Sequence, residues 1–223
     1  MNDFVVPEGG FKSFNDFFIR RLKPGARVID LDPSVFISPA DSKLIVVPEI
    51  KPDTRFFVKS KKFCLKTFLR SERLAKEYES GVLCLFRLEP RDYHRYHLPC
   101  DAVVGEAIRI NGCLESVNPI VYESGLLPLQ ENERHRIILQ TKSFNKVIMV
   151  SIGAMFVGKI THLYSANEEY KKGDEVGHFS FGGSSLVLLF KRGVVNVDDR
   201  FLKDSMQSVE TVVKMGERVG SLL

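Results

Sequence analysis

The sequence predicts an α+β chain that is mainly β, an antiparallel sandwich or barrel-like core with a few peripheral helices. Three observations lead there. Short runs rich in β-branched and aromatic residues recur between turn residues. Strand and helix patterns do not alternate regularly, which argues against a doubly wound parallel sheet. The 223 residues, 44% apolar and 27% charged, are enough for a sizeable core and are an ordinary globular balance rather than a disordered one. No internal repeat or low-complexity linker divides the chain, so a single domain over 1–223 is expected.

The first element is a helix from Ser13 to Leu22. Phe14, Phe17, Phe18 and Leu22 recur at helical spacing, Ser13 and Asp16 form a capping box, and Arg20, Arg21 and Lys23 close a basic end before Pro24 and Gly25 stop it. Its aromatic stripe is expected to dock on the body of the protein, although a Phe and Arg mixture also suits a membrane surface. A strand follows at Leu44–Val47. A second helix is expected from Thr67 to Ser80, with Phe68, Leu69, Leu74 and Tyr78 on one side and Gly81 as the stop. Further strands are expected at Val82–Leu88, Val103–Ile110, Ile137–Thr141, Val147–Ile152, Met155–Ile160 and Leu186–Phe190. The last stretch, Asn196 to Gly220, is more polar but keeps Phe201, Leu202, Val209, Val212, Val213 and Met215 for packing.

Charge excludes some functions. Thirty-two Lys and Arg against twenty-eight Asp and Glu leave +4 with no long run of one sign, too dilute for a nucleic-acid footprint. The longest stretch free of these residues, Val176 to Phe190, is interrupted by His178, Gly182 and Gly183 and falls short of the roughly 20 apolar residues of a bilayer span. The N-terminus lacks the layout of a secretory signal, so an intracellular chain, at most peripheral to a membrane, is expected. The four cysteines, Cys64, Cys84, Cys100 and Cys113, lie far apart without CxxC, which suits buried reduced thiols better than disulfides or a zinc site.

Candidate chemistry is densest in Glu89-Pro90-Arg91-Asp92-Tyr93-His94-Arg95-Tyr96-His97-Leu98-Pro99. A short helical turn between the prolines would bring His94 and His97 near one face, whereas a strand would point them apart. Arg91 and Arg95 would help to keep both imidazoles neutral and available as bases. An isolated H-x-x-H is more often a pair of satisfied histidines, and it places no third metal ligand. Asp41, in Ser38-Pro39-Ala40-Asp41, reads alone as a turn residue. Gly182-Gly183 before Ser184 and Ser185 reads alone as a glycine hairpin, since neither glycine spacing nor the following strand fits a phosphate loop.

Together, however, several segments resemble the phosphatidylserine decarboxylase family, in order, from about Phe11 to Gly220. They are Phe14-Asn15-Asp16-Phe17-Phe18-Ile19-Arg20-Arg21-Leu22, Ser38-Pro39-Ala40-Asp41, Asp92-Tyr93-His94-Arg95-Tyr96-His97, Ser116-Val117-Asn118-Pro119, Glu131-Asn132-Glu133-Arg134, Gly153-Ala154-Met155-Phe156-Val157-Gly158, Lys172-Gly173-Asp174-Glu175 and Phe181-Gly182-Gly183-Ser184-Ser185. The resemblance implies a proenzyme that cuts itself between Gly183 and Ser184 into a β chain, 1–183, and an α chain, 184–223. Asp41, His97 and Ser184 would form the triad that activates the serine, and Ser184 would end as a covalent pyruvoyl group, with no external cofactor and no metal. That group would take the substrate amine as a Schiff base and act as an electron sink, with His94 handling the proton of the decarboxylation step. Gly182 and Ser185 would shape the cleavage loop. Ser42 after Asp41, and Ala102 after Asp101, stand where many relatives carry glycine.

The implied reaction turns phosphatidylserine into phosphatidylethanolamine and CO2. The implied partners are the phosphatidylserine headgroup, the two chains of one precursor, a second copy in a homodimer, and a membrane in peripheral contact. One alternative keeps the pyruvoyl chemistry for a soluble amino acid, aromatic ones included. Another is an unprocessed β-rich binding or scaffold protein of the same fold, against which the intact Asp41, His97 and Ser184 count.

Overall fold

The computed structural model describes the chain except residues 57–60, 156–158 and 182–183. In order, the elements are α1 (Phe14–Phe18), β1 (Val35–Ile37), β2 (Ser42–Val47), α2 (Leu65–Leu69), α3 (Glu72–Glu77), β3 (Val82–Leu88), β4 (Arg95–His97), β5 (Ala102–Val104), β6 (Ile108–Ile110), α4 (Pro119–Glu123), α5 (Pro128–Glu131), β7 (Arg134–Gln140), β8 (Lys146–Gly153), β9 (Ile160–His162), β10 (Glu168–Tyr170), β11 (Glu175–Phe179), β12 (Ser184–Phe190), β13 (Val195–Val197), α6 (Asp199–Met206), β14 (Thr211–Val213) and β15 (Arg218–Leu222). The fold is α+β and mainly β, as expected.

A nine-stranded antiparallel sheet runs β10-β5-β7-β8-β12-β3-β2-β14, with β6 also paired to β7, and remains open rather than closing as a barrel. Two three-stranded sheets, β1-β15-β13 and β4-β11-β9, accompany it. Alternation along the central strands divides the core in two. Cys84, Phe86 and Leu88 of β3 with Leu186, Leu188 and Phe190 of β12 join one cluster with Tyr96, Phe179 and Val219 of the small sheets. Leu83, Leu85, Val187 and Leu189 join the other with Phe68, Leu74, Tyr122 and Leu129 from the helical side. By the same alternation Ser184 shares a face with Leu186, toward the small sheets, and Ser185 shares one with Val187, toward the helices.

Several predicted elements are shorter or divided. The helix expected over Ser13–Leu22 is α1 alone. Its Ser13 cap accepts from the Asp16 N–H at 3.0 Å, but Leu22 leaves to bridge Phe4. The helix expected over Thr67–Ser80 is two, because Arg70 turns into the left-handed region (φ 48°) and Ser71 starts a new helix by capping the Leu74 N–H at 3.3 Å. Val103–Ile110 is split into β5 and β6 by Gly105, whose N–H bonds the Ile138 carbonyl. For Met155–Ile160, Met155 is in a turn, 156–158 lie outside the described residues, and β9 begins at Ile160. Cys84 and Cys100 are buried free thiols, whereas Cys64 and Cys113 are exposed, contrary to the expectation for all four.

Candidate active site

Ser184 opens β12, the strand held between β8 and β3, and is fully buried. It lies in register with Leu88 at the end of β3 and Gly153 at the end of β8, so three strands of the large sheet meet beside it. Asn132, also fully buried, secures this rim. Its amide donates to the carbonyls of Glu115 (2.7 Å) and Gly153 (2.8 Å) and accepts from the Glu115 N–H (2.9 Å). That explains the Glu131–Arg134 segment in terms no periodicity could supply.

Of the turn and the strand left open for the His94–His97 segment, the strand is found for Arg95–His97. The turn is confined to the start, where the Asp92 N–H donates to the Glu89 carbonyl at 2.9 Å and the Asp92 carboxylate accepts from the Glu89 N–H at 2.7 Å. Arg95–His97 is then strand β4, and the two imidazoles take different neighbours. His94 Nε2 is 2.8 Å from the Glu89 carbonyl oxygen, which can only accept, so Nε2 carries the proton in the neutral ring. Its Nδ1 lone pair therefore faces Ser184 Oγ, 3.3 Å away. Phe18 of α1 stacks on the ring at 3.9 Å between centroids. Burial, with the charge of Arg20 adding to it, pushes the His94 pKa down to about 4. The site thus presents a neutral base to a buried hydroxyl.

His97 is held elsewhere. Its Nδ1–H donates to the Gly173 carbonyl at 2.8 Å, so its Nε2 accepts from the Tyr93 hydroxyl at 2.9 Å, and burial lowers its pKa as well. Gly173 adopts φ +86°, a conformation that favours glycine and turns its carbonyl onto the imidazole. Asp41 Oδ2 accepts from Arg27 Nη2 and Oδ1 from the Met215 N–H, both at 2.8 Å. The Ser38–Asp41 turn reaches β4 through its backbone, the Pro39 carbonyl accepting from the His97 N–H at 2.9 Å. Of the expected residues, the structure brings Ser184 and His94 into contact. It places Asp41 and His97 on adjoining segments, and the described hydrogen bonds do not join either to Ser184. Gly182 and Gly183 lie outside the described residues. Ser185 is buried, and its Oγ has no hydrogen-bond partner among the described residues.

Two arginines support the site in ways the sequence did not suggest. Arg20 ties α1 to the His94 loop, donating to the Arg91 and Asp92 carbonyls at 3.1 and 3.0 Å while its guanidinium lies over the rings of Phe4 and Phe17. Arg27 bridges Asp41 and Asp3. The signal for Arg20 was its place after the aromatic stripe, which had suggested only a basic helix end.

Histidine burial has a consequence for stability. Because the folded pKa of His94 lies near 4 and the ordinary value is 6.5, the unfolded chain binds the extra proton first between those limits. The stabilisation is complete above that window and is lost as pH falls through it. Lowering the pH from 7 to 5 should cost about 2 kcal/mol from His94 alone, with the lowered His97, His135, His162 and His178 acting in the same direction. Urea midpoints measured at the two pH values should show this, and His94→Gln should reduce the difference. An equal pH dependence in the variant would contradict the assignment.

Comparison with known proteins fits the chain to one family. Residues 14–221 match the family described as phosphatidylserine decarboxylase. The phosphatidylserine decarboxylase proenzyme of Fusobacterium nucleatum is 40% identical over 221 residues, covering 99% of this chain and 74% of that protein. The proenzyme of Chlamydia pneumoniae is 42% identical over 218 residues, 98% of this chain and 72% of the relative. Proenzyme 3 of Schizosaccharomyces pombe is 38% identical over 222 residues, 99% of this chain but 23% of its own length. Similarity of this extent, running through strands and loops alike, means that the chain belongs to the phosphatidylserine decarboxylase family.

Proposed function

We propose that this chain is a proenzyme that cuts itself before Ser184 and then decarboxylates phosphatidylserine to phosphatidylethanolamine. The observation that carries the reading is the buried Ser184 hydroxyl facing the lone pair of a neutral imidazole. A serine oxygen is a poor nucleophile until its proton is taken. Ser184 Oγ would attack the carbonyl of residue 183, exchanging the amide for an ester. A base would then remove the Cα proton of residue 184 as its Cβ–Oγ bond breaks, freeing the β-chain carboxylate with that oxygen and leaving dehydroalanine, whose imine tautomer would take up water and release ammonia to leave the ketone.

The residues present fit the pyruvoyl group that the family uses. Position 184 is buried, stands at the head of a strand, and has a titratable ring beside it. Such a group supplies an electron sink for the departing carboxylate. Around it the protein excludes water through Phe18 and Leu88, and His94 can hold a proton at Nδ1 for delivery to the carbon that loses CO2. We assign cutting to Asp41, His97 and Ser184, and the later proton transfer to His94. The Ser184–His94 contact favours a second reading at one point, in which His94 also takes the serine proton, because Tyr93 occupies His97 Nε2. Ser185 and Gly182 would support the cleavage loop. A homodimer and peripheral membrane contact accompany the proposal. Among the described residues no helix is long and apolar enough to cross a membrane.

The relatives' names point to the lipid rather than a soluble amino acid, and the word proenzyme in them weighs against an uncut scaffold. Intact mass should show two fragments parted after Gly183, the smaller blocked to Edman sequencing. CO2 should be released from phosphatidylserine vesicles and not from free serine or tryptophan. Release from a free amino acid alone would exclude the lipid.

A further inference from the structure

Tyr93 carries a hydroxyl that the chemistry assigned above does not use. The residue is buried, and its hydroxyl makes one hydrogen bond among the described residues, to His97 Nε2 at 2.9 Å. The far side of the imidazole decides which atom donates. His97 Nδ1 lies 2.8 Å from the Gly173 carbonyl oxygen, which can only accept, so Nδ1 carries the ring proton and Nε2 offers a lone pair to the phenol O–H. Burial raises the Tyr93 pKa, so the phenol keeps its proton and remains a donor at neutral pH. The lone pair with which His97 would accept a proton from Ser184 is therefore already engaged.

The phenol is braced by the start of the chain. Phe4 packs on the Tyr93 ring at 5.9 Å between centroids, and the His97 ring lies 5.7 Å from that of Tyr93. Residues 3–5 run antiparallel to 21–23. Phe4 bridges Leu22, the Lys23 N–H donates to the Asp3 carbonyl at 2.8 Å, and the Val5 N–H donates to the Arg21 carbonyl at 2.9 Å. Within residues 1–9 only Asp3 and Phe4 are partly buried. Asp3 holds one nitrogen of Arg27, whose other terminal nitrogen holds Asp41, both at 2.8 Å. One short segment thus braces the partners of both His97 and Asp41, and the phenol can leave Nε2 only by breaking a buried hydrogen bond in packed surroundings.

We propose that Tyr93, braced by Phe4, is a positioning residue that restrains self-cutting by holding the His97 lone pair away from Ser184 until its hydroxyl turns aside. This role rests on the reading in which His97 takes the serine proton, and it adds a rate-setting contact to that reading. The Tyr93 O–H must release Nε2 before the Ser184 O–H can donate to it, and no covalent bond changes in that step.

Division of the full chain and of Tyr93→Phe is followed by pulse-chase on a denaturing gel. Loss of the hydroxyl should speed division about tenfold, the worth of one buried hydrogen bond. Phe4→Ala, which keeps the hydroxyl but loosens its ring, should fall between the two. A second readout uses undivided Ser184→Ala chains with nitrogen-15-labelled histidine. In these, Tyr93→Phe should move the His97 Nε2 resonance downfield, toward that of an unbonded imidazole nitrogen, and raise the pH at which His97 titrates, because the neutral ring loses its donor. Melting curves identify folded variants, and Phe4→Ala supplies the rate if Tyr93→Phe does not fold. Division of the folded variants at the parent rate or more slowly, or of none of the chains, overturns the restraint. If the His97 resonance has nonetheless moved, the hydrogen bond is real and His97 as the base is what fails. An unmoved resonance means that the bond itself is absent.

Discussion

Ser184→Ala is expected to leave a single chain of 25.3 kDa, with no reactive carbonyl and with decarboxylation reduced by at least about 10⁴-fold. The size of the effect follows from the proposal that one oxygen serves twice, first as the nucleophile that opens the backbone and then as part of the group that disappears to leave the ketone. No neighbouring hydroxyl can substitute, because strand alternation turns Ser185 toward the opposite face of the sheet. The substitution removes a 3.3 Å contact and little volume from a buried site, so stability should change by only about 1 kcal/mol. A denaturing gel, hydrazine labelling and a melting curve are the three measurements. A chain that still divides after Ser184→Ala would end the self-cutting proposal, and a cut parent chain without hydrazine-reactive carbonyl would end the pyruvoyl one.

The second large effect concerns the two histidines. His97→Ala is expected to remain uncut. His94→Ala is expected to divide normally but to lose decarboxylation by about 10²–10⁴-fold, the usual worth of a positioned acid or base. Their surroundings make the experiment decisive. His97 presents Nε2 to the Tyr93 hydroxyl, so taking the serine proton requires that hydroxyl to turn away. His94 needs no rearrangement to meet Ser184 in the undivided chain. An undivided His94→Ala protein would transfer the first proton to His94 and leave His97 and Asp41 as supports. Pulse-chase analysis of precursor and fragments, beside CO2 release from the divided protein, separates the two steps.

The sequence was most informative where a residue's surroundings are its own strand. β3 appears over Val82–Leu88 as expected, and β2, β7, β8 and β12 differ from their predicted spans only at the ends; in β3, β8 and β12 burial on both faces selects long β-rich runs. It was less informative where long-range bonds override local preference. The helix period continued through Arg70, yet the chain turns there and restarts at Ser71. Likewise, the spacing of His94 and His97 suggested one face of a turn, whereas pairing with β11 draws Arg95–His97 into a strand. Motif resemblance selected Ser184 and His94 as site residues. The resembling segments include Arg20, Asn132 and Gly173 but gave no role to any of them, because each acts through partners distant in sequence.

The position of β12 bears on what the proposed cut would do to the fold. Residues 184–223 contribute β12 between β8 and β3, β14 on the edge of β2, and the β15-β13 pair beside β1. They are threaded through the rest of the chain as a tongue gripped along both margins, with Leu186, Val187, Leu188 and Leu189 sealed inside. Severing the peptide link ahead of residue 184 therefore frees no domain. Were the chain cut there as proposed, the two polypeptides would stay locked as one body and would part only on unfolding, so maturation would expose a new chain terminus beside a buried strand without loosening the scaffold that aims it.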